Sequence, residues 1–135
     1  MTTKTYDLIV IGGGPAGMSA ATEAAKHGLH TALIDEQPVT GGQIYRAVDD
    51  VVTRRADDLP LLGQEYAYGK TITDAFHASD AEHISGQTVW QLGLDGSIWS
   101  SDGAKAQAFQ AKHIILATGA QERPVPVPGW TLPGV

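Results

Sequence analysis

An apolar run, Leu8-Ile9-Val10-Ile11, stops in Gly12-Gly13-Gly14-Pro15-Ala16-Gly17 and restarts as an alanine-rich segment, and this pattern limits the available folds more than any other in the chain. The run is β-rich and almost continuously apolar, which predicts a parallel strand covered on both faces over residues 6–11. Pro15 falls where a helix tolerates proline best, and Gly28 follows Lys26 and His27, whose charges complement a helix C-terminus. A helix is therefore expected over residues 15–27. Within the turn, Gly12 permits the tight reversal off the strand, Gly14 lets backbone approach a diphosphate, and Gly17 lets helix and strand pack closely. The first-turn amides of the helix lack intrahelical acceptors and carry partial positive charge, and no acidic residue competes for them.

A dinucleotide reading also needs an acid at the end of a second strand, roughly 20 residues onward, to bind ribose hydroxyls. Residues 31–35 read as that strand. Asp35 meets the requirement and Glu36 is the neighbouring alternative. An acid here disfavours a 2′-phosphate, so NADP is not expected at this site. The spacing alone does not separate NAD from FAD.

At 135 residues and 42% hydrophobic, the chain can build one modest domain with its own core. A net charge of -6, with no basic cluster longer than Arg54-Arg55, argues against nucleic acid or an anionic membrane and leaves a small molecule or a protein as partner. Cysteine is absent, so electron chemistry in this stretch needs a cofactor rather than a dithiol. The polar N-terminus and the short apolar run after it exclude a signal peptide or membrane helix there, and a cytoplasmic location is expected.

Further along, residues 37–42 read as a loop and residues 49–60 as a charged, irregular surface excursion. A helix is expected across much of 63–81, where Leu62, Tyr66, Ile72 and Phe76 recur loosely at helical spacing and Gly69 weakens the middle. From Ile84 an antiparallel meander is expected, with strands at 88–92, 98–100 and 106–111, followed by a buried strand at 113–117. The fold class is therefore α/β, a Rossmann-like parallel sheet with an antiparallel meander, and incomplete. Residues 1–120 read as the N-terminal part of a nucleotide-binding domain. Residues 121–135 hold four of the seven prolines and read as an extended connector.

Other signals carry less. Gly69-Lys70-Thr71 is preceded by Gly63 with five intervening residues, one more than a phosphate loop has, so ATP binding is rejected. The five histidines show no metal-binding spacing. Trp90 and Trp99 are expected to pack the meander, and Trp130 sits in the proline-rich segment.

The combination of Gly12-Gly13-Gly14-Pro15-Ala16-Gly17, Asp35-Glu36, Gly41-Gly42-Gln43 and Ala117-Thr118-Gly119 resembles the N-terminal FAD segment of flavoproteins with two dinucleotide-binding domains. Glutathione and thioredoxin reductase-like enzymes share that arrangement. More narrowly, Asp35-Glu36-Gln37-Pro38 with Gly41-Gly42-Gln43-Ile44-Tyr45-Arg46, and Ala117-Thr118-Gly119-Ala120-Gln121-Glu122-Arg123-Pro124, resemble opine oxidase alpha subunits, hydrogen cyanide synthase and proline or hydroxyproline dehydrogenase flavin subunits. The resemblance covers nearly all of this chain and the first third or so of such a protein, and it implies that residues 121–135 lead towards a second nucleotide-binding domain.

By that resemblance, FAD is the cofactor. Gly12, Gly14, Pro15, Ala16 and Gly17 would hold its pyrophosphate, and Asp35 or Glu36 its adenosine ribose. Gly42 and Gln43 would lie at the ribityl and flavin side, with Thr118 and Gly119 closing on the dinucleotide from across the fold. The implied activity is oxidation of a C–N bond in an amino acid, imino acid or opine, and the implied partner is a second flavoprotein subunit. The alternatives are an NAD(P)H-dependent flavoprotein reductase and a nucleotide-binding module without turnover. No acid, base or nucleophile stands out, so no catalytic residue is named.

Overall fold

In the computed structural model, which describes residues 3–121, 127–129 and 131–132, the apolar run forms β1 (Lys4–Ile11), one of the two central strands of a six-stranded sheet. The glycine turn opens α1 (Pro15–Lys26), which carries proline in its first turn and Lys26 in its last. Gly28, at φ +80°, then lets the chain reverse into β2 (Thr31–Ile34), all four residues of which are buried. These elements fall where the residue pattern expects them.

The stretch 49–60 is not irregular. It forms α2 (Val48–Arg54), a single 3-10 turn (Ala56–Asp58) and the start of α3 (Leu59–Leu62). The charges that make it look like a surface loop stabilise α2 instead. Asp49 and Asp50 lie in its first turn and Arg54 in its last, and Arg54 pairs with Asp50 at 2.8 Å. The next helix, α4 (Gln64–His77), covers much of 63–81, as expected. Thr73 joins it to α2 by donating its hydroxyl to Asp49 Oδ1 at 2.7 Å. Gly69-Lys70-Thr71 lies within α4.

After α4 come β3 (Glu82–Ile84), β4 (Thr88–Leu92), β5 (Ser97–Ser101) and β6 (Ala106–Leu116), giving the strand order β3-β2-β1-β6-β5-β4. The pairs β1–β2, β1–β6 and β2–β3 are parallel, whereas β4–β5 and β5–β6 are antiparallel. The short β3 carries too few apolar residues to signal a strand and is held by pairing with β2.

The expected meander strand at 106–111 and buried strand at 113–117 are one continuous element. Nothing between them breaks a strand, so β6 pairs with β5 over Ala106 to Gln110 and with β1 over Phe109 to Leu116. Its second half is not buried either. Ile115 is 40% exposed and Leu116 63%, because the described helices pack over β1 and β2 and leave β6 uncovered.

The core lies on both faces of β1. Leu8, Val10 and Leu33 pack against Met18 and Ala21 of α1 and Phe76 of α4. On the other side Ile9, Ile11, Ala32 and Ile34 meet Ile98, Phe109 and Ala111 of the meander. Each large apolar side chain buried this way contributes about 1.5–3 kcal/mol. The same packing fixes where β1 ends and the glycine turn begins. Trp90 and Trp99 pair at 6.2 Å with Trp90 57% exposed, so the meander's outer face is their site. Most of the proline-rich segment, with Trp130, lies outside the described residues. Among the described residues no helix is long and apolar enough to cross a membrane.

Candidate functional site at the end of the first strand

β1 stops where neighbouring strands hold it. The Gly12 amide donates to Ile34 O of β2 at 2.8 Å, and the Ala117 amide, just past β6, donates to Ile11 O at 2.8 Å. Gly12 has φ +113°, and a Cβ there would overlap the Ala117 carbonyl, so only glycine fits between the strands. A Cβ on Gly17 would overlap the Gly12 carbonyl, which makes Gly17 the point of closest approach between α1 and the strand. Gly14 differs from both. It is the N-cap of α1 with extended backbone, and nothing lies within 4 Å of where its Cβ would be. Pro15 and Ala16 follow as the first helical residues, with no side chain capping their end of the helix.

Asp35 is half-buried and bound into the turn itself. Its Oδ2 accepts the Gly13 amide and its Oδ1 accepts the Gln37 amide at 2.8 Å. The carboxylate therefore sits under the glycine turn and fixes it against β2. Glu36 is exposed, and among the described residues its side chain meets only Gln37 Nε2, at 3.5 Å. The two acids are not equivalent: the structure brings Asp35 to the turn and leaves Glu36 at the surface.

The loop after β2 returns over the same point. The Gly41 amide donates to Gly13 O at 2.9 Å, and a Cβ on Gly42 would lie 2.8 Å from Gly14 Cα. Gln43 Nε2 donates to Ala120 O at 3.2 Å, which ties this loop to the segment carrying Thr118 and Gly119. Thr118 and Gly119 are exposed, and Thr118 Cα stands 3.2 Å from where a Gly12 Cβ would be. All four motifs thus converge on one end of β1.

Two groups in this region escape a reading by motif. Thr40 is 3% exposed, yet its hydroxyl finds no hydrogen-bond partner among the described residues. The segment 85–87 lies against the acid, with the Gln87 amide donating to Asp35 O at 2.9 Å and the Asp35 amide donating to Ile84 O at 3.1 Å. Thr40 is visible in the sequence as a hydroxyl beside two glycines, but its burial is not. The backbone contacts of 85–87 leave no mark on residue type.

His83 of β3 stands next to this acid-bearing edge. Burial pushes its imidazole below the ordinary 6.5, the nearby Asp35 carboxylate pulls the other way, and His77 adds to the lowering. Its Nε2 has no partner among the described residues. A groove of about 610 Å³, lined by Thr5, Leu94, Asp95, Lys112 and His113 among others, lies beside the early part of β1 and away from the glycine turn.

The site has the features a dinucleotide diphosphate requires. Uncapped amides open a helix free of first-turn acids, one glycine faces open space, and one buried hydroxyl has no partner among the described residues. An opine oxidase subunit from Agrobacterium tumefaciens is 43% identical over 96% of this chain, and the chain spans 27% of that protein. Hydrogen cyanide synthase subunit HcnB of Pseudomonas protegens is 35% identical over 94% of this chain and again 27% of its own length. Among solved structures, L-proline dehydrogenase from P. horikoshii shares the fold at TM-score 0.68 and 22% identity, covering 93% of this chain and 25% of that one. The chain therefore spans about a quarter of the length of these relatives. The pyridine nucleotide-disulphide oxidoreductase family matches residues 6–134, and with the sheet order and glycine turn described above the chain belongs to that family.

Proposed function

We propose that this chain is the FAD-binding portion of a flavin-dependent oxidoreductase that oxidises a C–N bond in an amino acid, imino acid or opine. The observation that carries the cofactor reading is the convergence of Gly12 to Gly17, Asp35, Gly42-Gln43 and Thr118-Gly119 on one end of β1. Family members bind FAD, and the identity to an opine oxidase supports the narrower substrate class.

In this reading the backbone amides of Gly14, Ala16 and Gly17 at the start of α1 hold the pyrophosphate, Pro15 having no N–H to give, and Gly14 lets it approach the backbone. Asp35 offers its remaining acceptor capacity to the adenosine ribose while it braces Gly13. Gly42 and Gln43 lie at the ribityl and flavin side, with Thr118 and Gly119 opposite. The chemistry FAD supplies when bound is acceptance of a hydride from the carbon beside the nitrogen. The residues of this chain bind and orient. The relatives named as subunits support a second flavoprotein chain as partner.

The test uses the protein loaded with FAD and kept anaerobic. Opines, proline-like imino acids or amino acids should bleach the flavin absorption and NADH should not. Bleaching by NADH alone would replace the C–N oxidation reading with that of a flavoprotein reductase. A protein that holds no FAD would overturn both.

A further inference from the structure

We propose that Gly69 of α4 is a positioning residue for the cofactor loop: its bare backbone seats the Tyr45 ring, and Tyr45 sets the place of Gly42 and Gln43. The inference rests on the dinucleotide reading above. It starts from an anomaly in α4, where a buried glycine without positive φ occupies a helix interior. Glycine costs a helix stability there, so it needs a reason.

The reason is contact. A Cβ on Gly69 would overlap Cδ1, Cγ and Cβ of Tyr45, so the ring lies directly against the helix backbone. Tyr45 in turn shapes the loop. Its amide donates to Gly41 O at 3.1 Å, and its carbonyl accepts the Val48 amide at 3.1 Å. A Cβ on Gly41 would overlap the Tyr45 carbonyl, so the loop is closed tightly between these two residues.

A second clasp lies one turn away on α4, where the Tyr66 hydroxyl donates to Arg46 O at 2.7 Å. Beyond it Ala47 takes the left-handed conformation at φ +56°, which a non-glycine residue adopts only when its surroundings hold it there. The back of the loop is thus pinned to α4 at Tyr45 and Arg46. The front presents Gly41 to Gly13, Gly42 to Gly14, and Gln43 to Ala120. Any side chain at position 69 must lift Tyr45, and with it the part of the loop that faces the flavin end.

The test compares FAD with ADP, since ADP needs the turn and the acid but not the flavin side of the loop. Both ligands are titrated into the unaltered chain and into Gly69→Ala, Tyr66→Phe, Tyr45→Ala and the Gly69→Ala/Tyr45→Ala pair, with circular dichroism to confirm folding. Gly69→Ala should weaken FAD at least about tenfold and leave ADP within about twofold. The double variant should be no worse than Tyr45→Ala alone, because the two residues act through one contact. Tyr66→Phe, which removes a single hydroxyl, should weaken FAD relative to ADP in the same direction and covers the case in which Gly69→Ala fails to fold. Parallel losses for both ligands, additive losses in the double variant, or no change in FAD binding would overturn the proposal. Failure of the unaltered chain to bind either ligand would overturn the dinucleotide reading beneath it.

Discussion

Gly14 and Gly17 stand three residues apart in one motif, yet their surroundings assign them different work. A methyl group on Gly17 would meet the Gly12 carbonyl, so Gly17→Ala should cost about 1–3 kcal/mol or more in urea denaturation. A methyl group on Gly14 meets nothing and its backbone is extended, so Gly14→Ala should change stability by less than about 0.5 kcal/mol. Equal losses at both positions would refute the division between a packing glycine and a ligand-facing glycine. The motif itself is legible in the sequence, because the spacing alone separates the glycines that the fold needs, Gly12 and Gly17, from the one that faces open space, Gly14. The state of Asp35 is not legible: as a residue type it promises ribose binding, but in the fold it also accepts the Gly13 amide. A hydrogen bond to backbone leaves no trace in the pattern of neighbouring side chains.

β3 marks the point where a secondary-structure element becomes illegible, and its pairing has a measurable consequence. It has three residues, two of them polar, and exists as a strand because β2 pairs with it. That pairing sets His83 edge-on to Phe76, half-buried, and the partial burial holds its imidazole below the ordinary 6.5. With the folded value depressed, the unfolded chain binds the proton first, so stability is full above 6.5 and falls as pH drops through 6.5 towards the folded value. Urea midpoints should therefore decline as pH falls from about 7 into the range below 6.5, and His83→Phe, which cannot bind a proton, should show a smaller decline. An equal decline in both proteins would refute the role given to His83. In α2 the valines at 48, 51 and 52 keep helical spacing inside a run of charges, so charge density hides a periodicity that is present. β6 misleads in the opposite direction, since its apolar end, Ile114-Ile115-Leu116, suggests a covering layer that the described residues do not supply.

Across the molecule, the parallel half of the sheet and the meander are joined through β6, and their junction with the turn after β1 creates the site. The order β3-β2-β1-β6-β5-β4 brings the end of β2 and the exit of β6 to opposite sides of β1, so Asp35 and Thr118-Gly119 flank the same glycine turn. That convergence follows from the class of fold, which the strand, helix and acid make legible. The packing of Tyr45 on Gly69 does not, because it joins residues on two elements whose relative placement only the fold determines. If this end of β1 binds a dinucleotide through its diphosphate, an equilibrium titration of FAD into the chain, read by flavin fluorescence anisotropy with ADP as competitor, will show it. Binding should saturate, ADP should displace it, and Gly14→Ala should weaken it at least about tenfold in a variant of unchanged stability. Absence of saturable binding, or binding that Gly14→Ala leaves intact, would contradict a diphosphate site at the glycine turn.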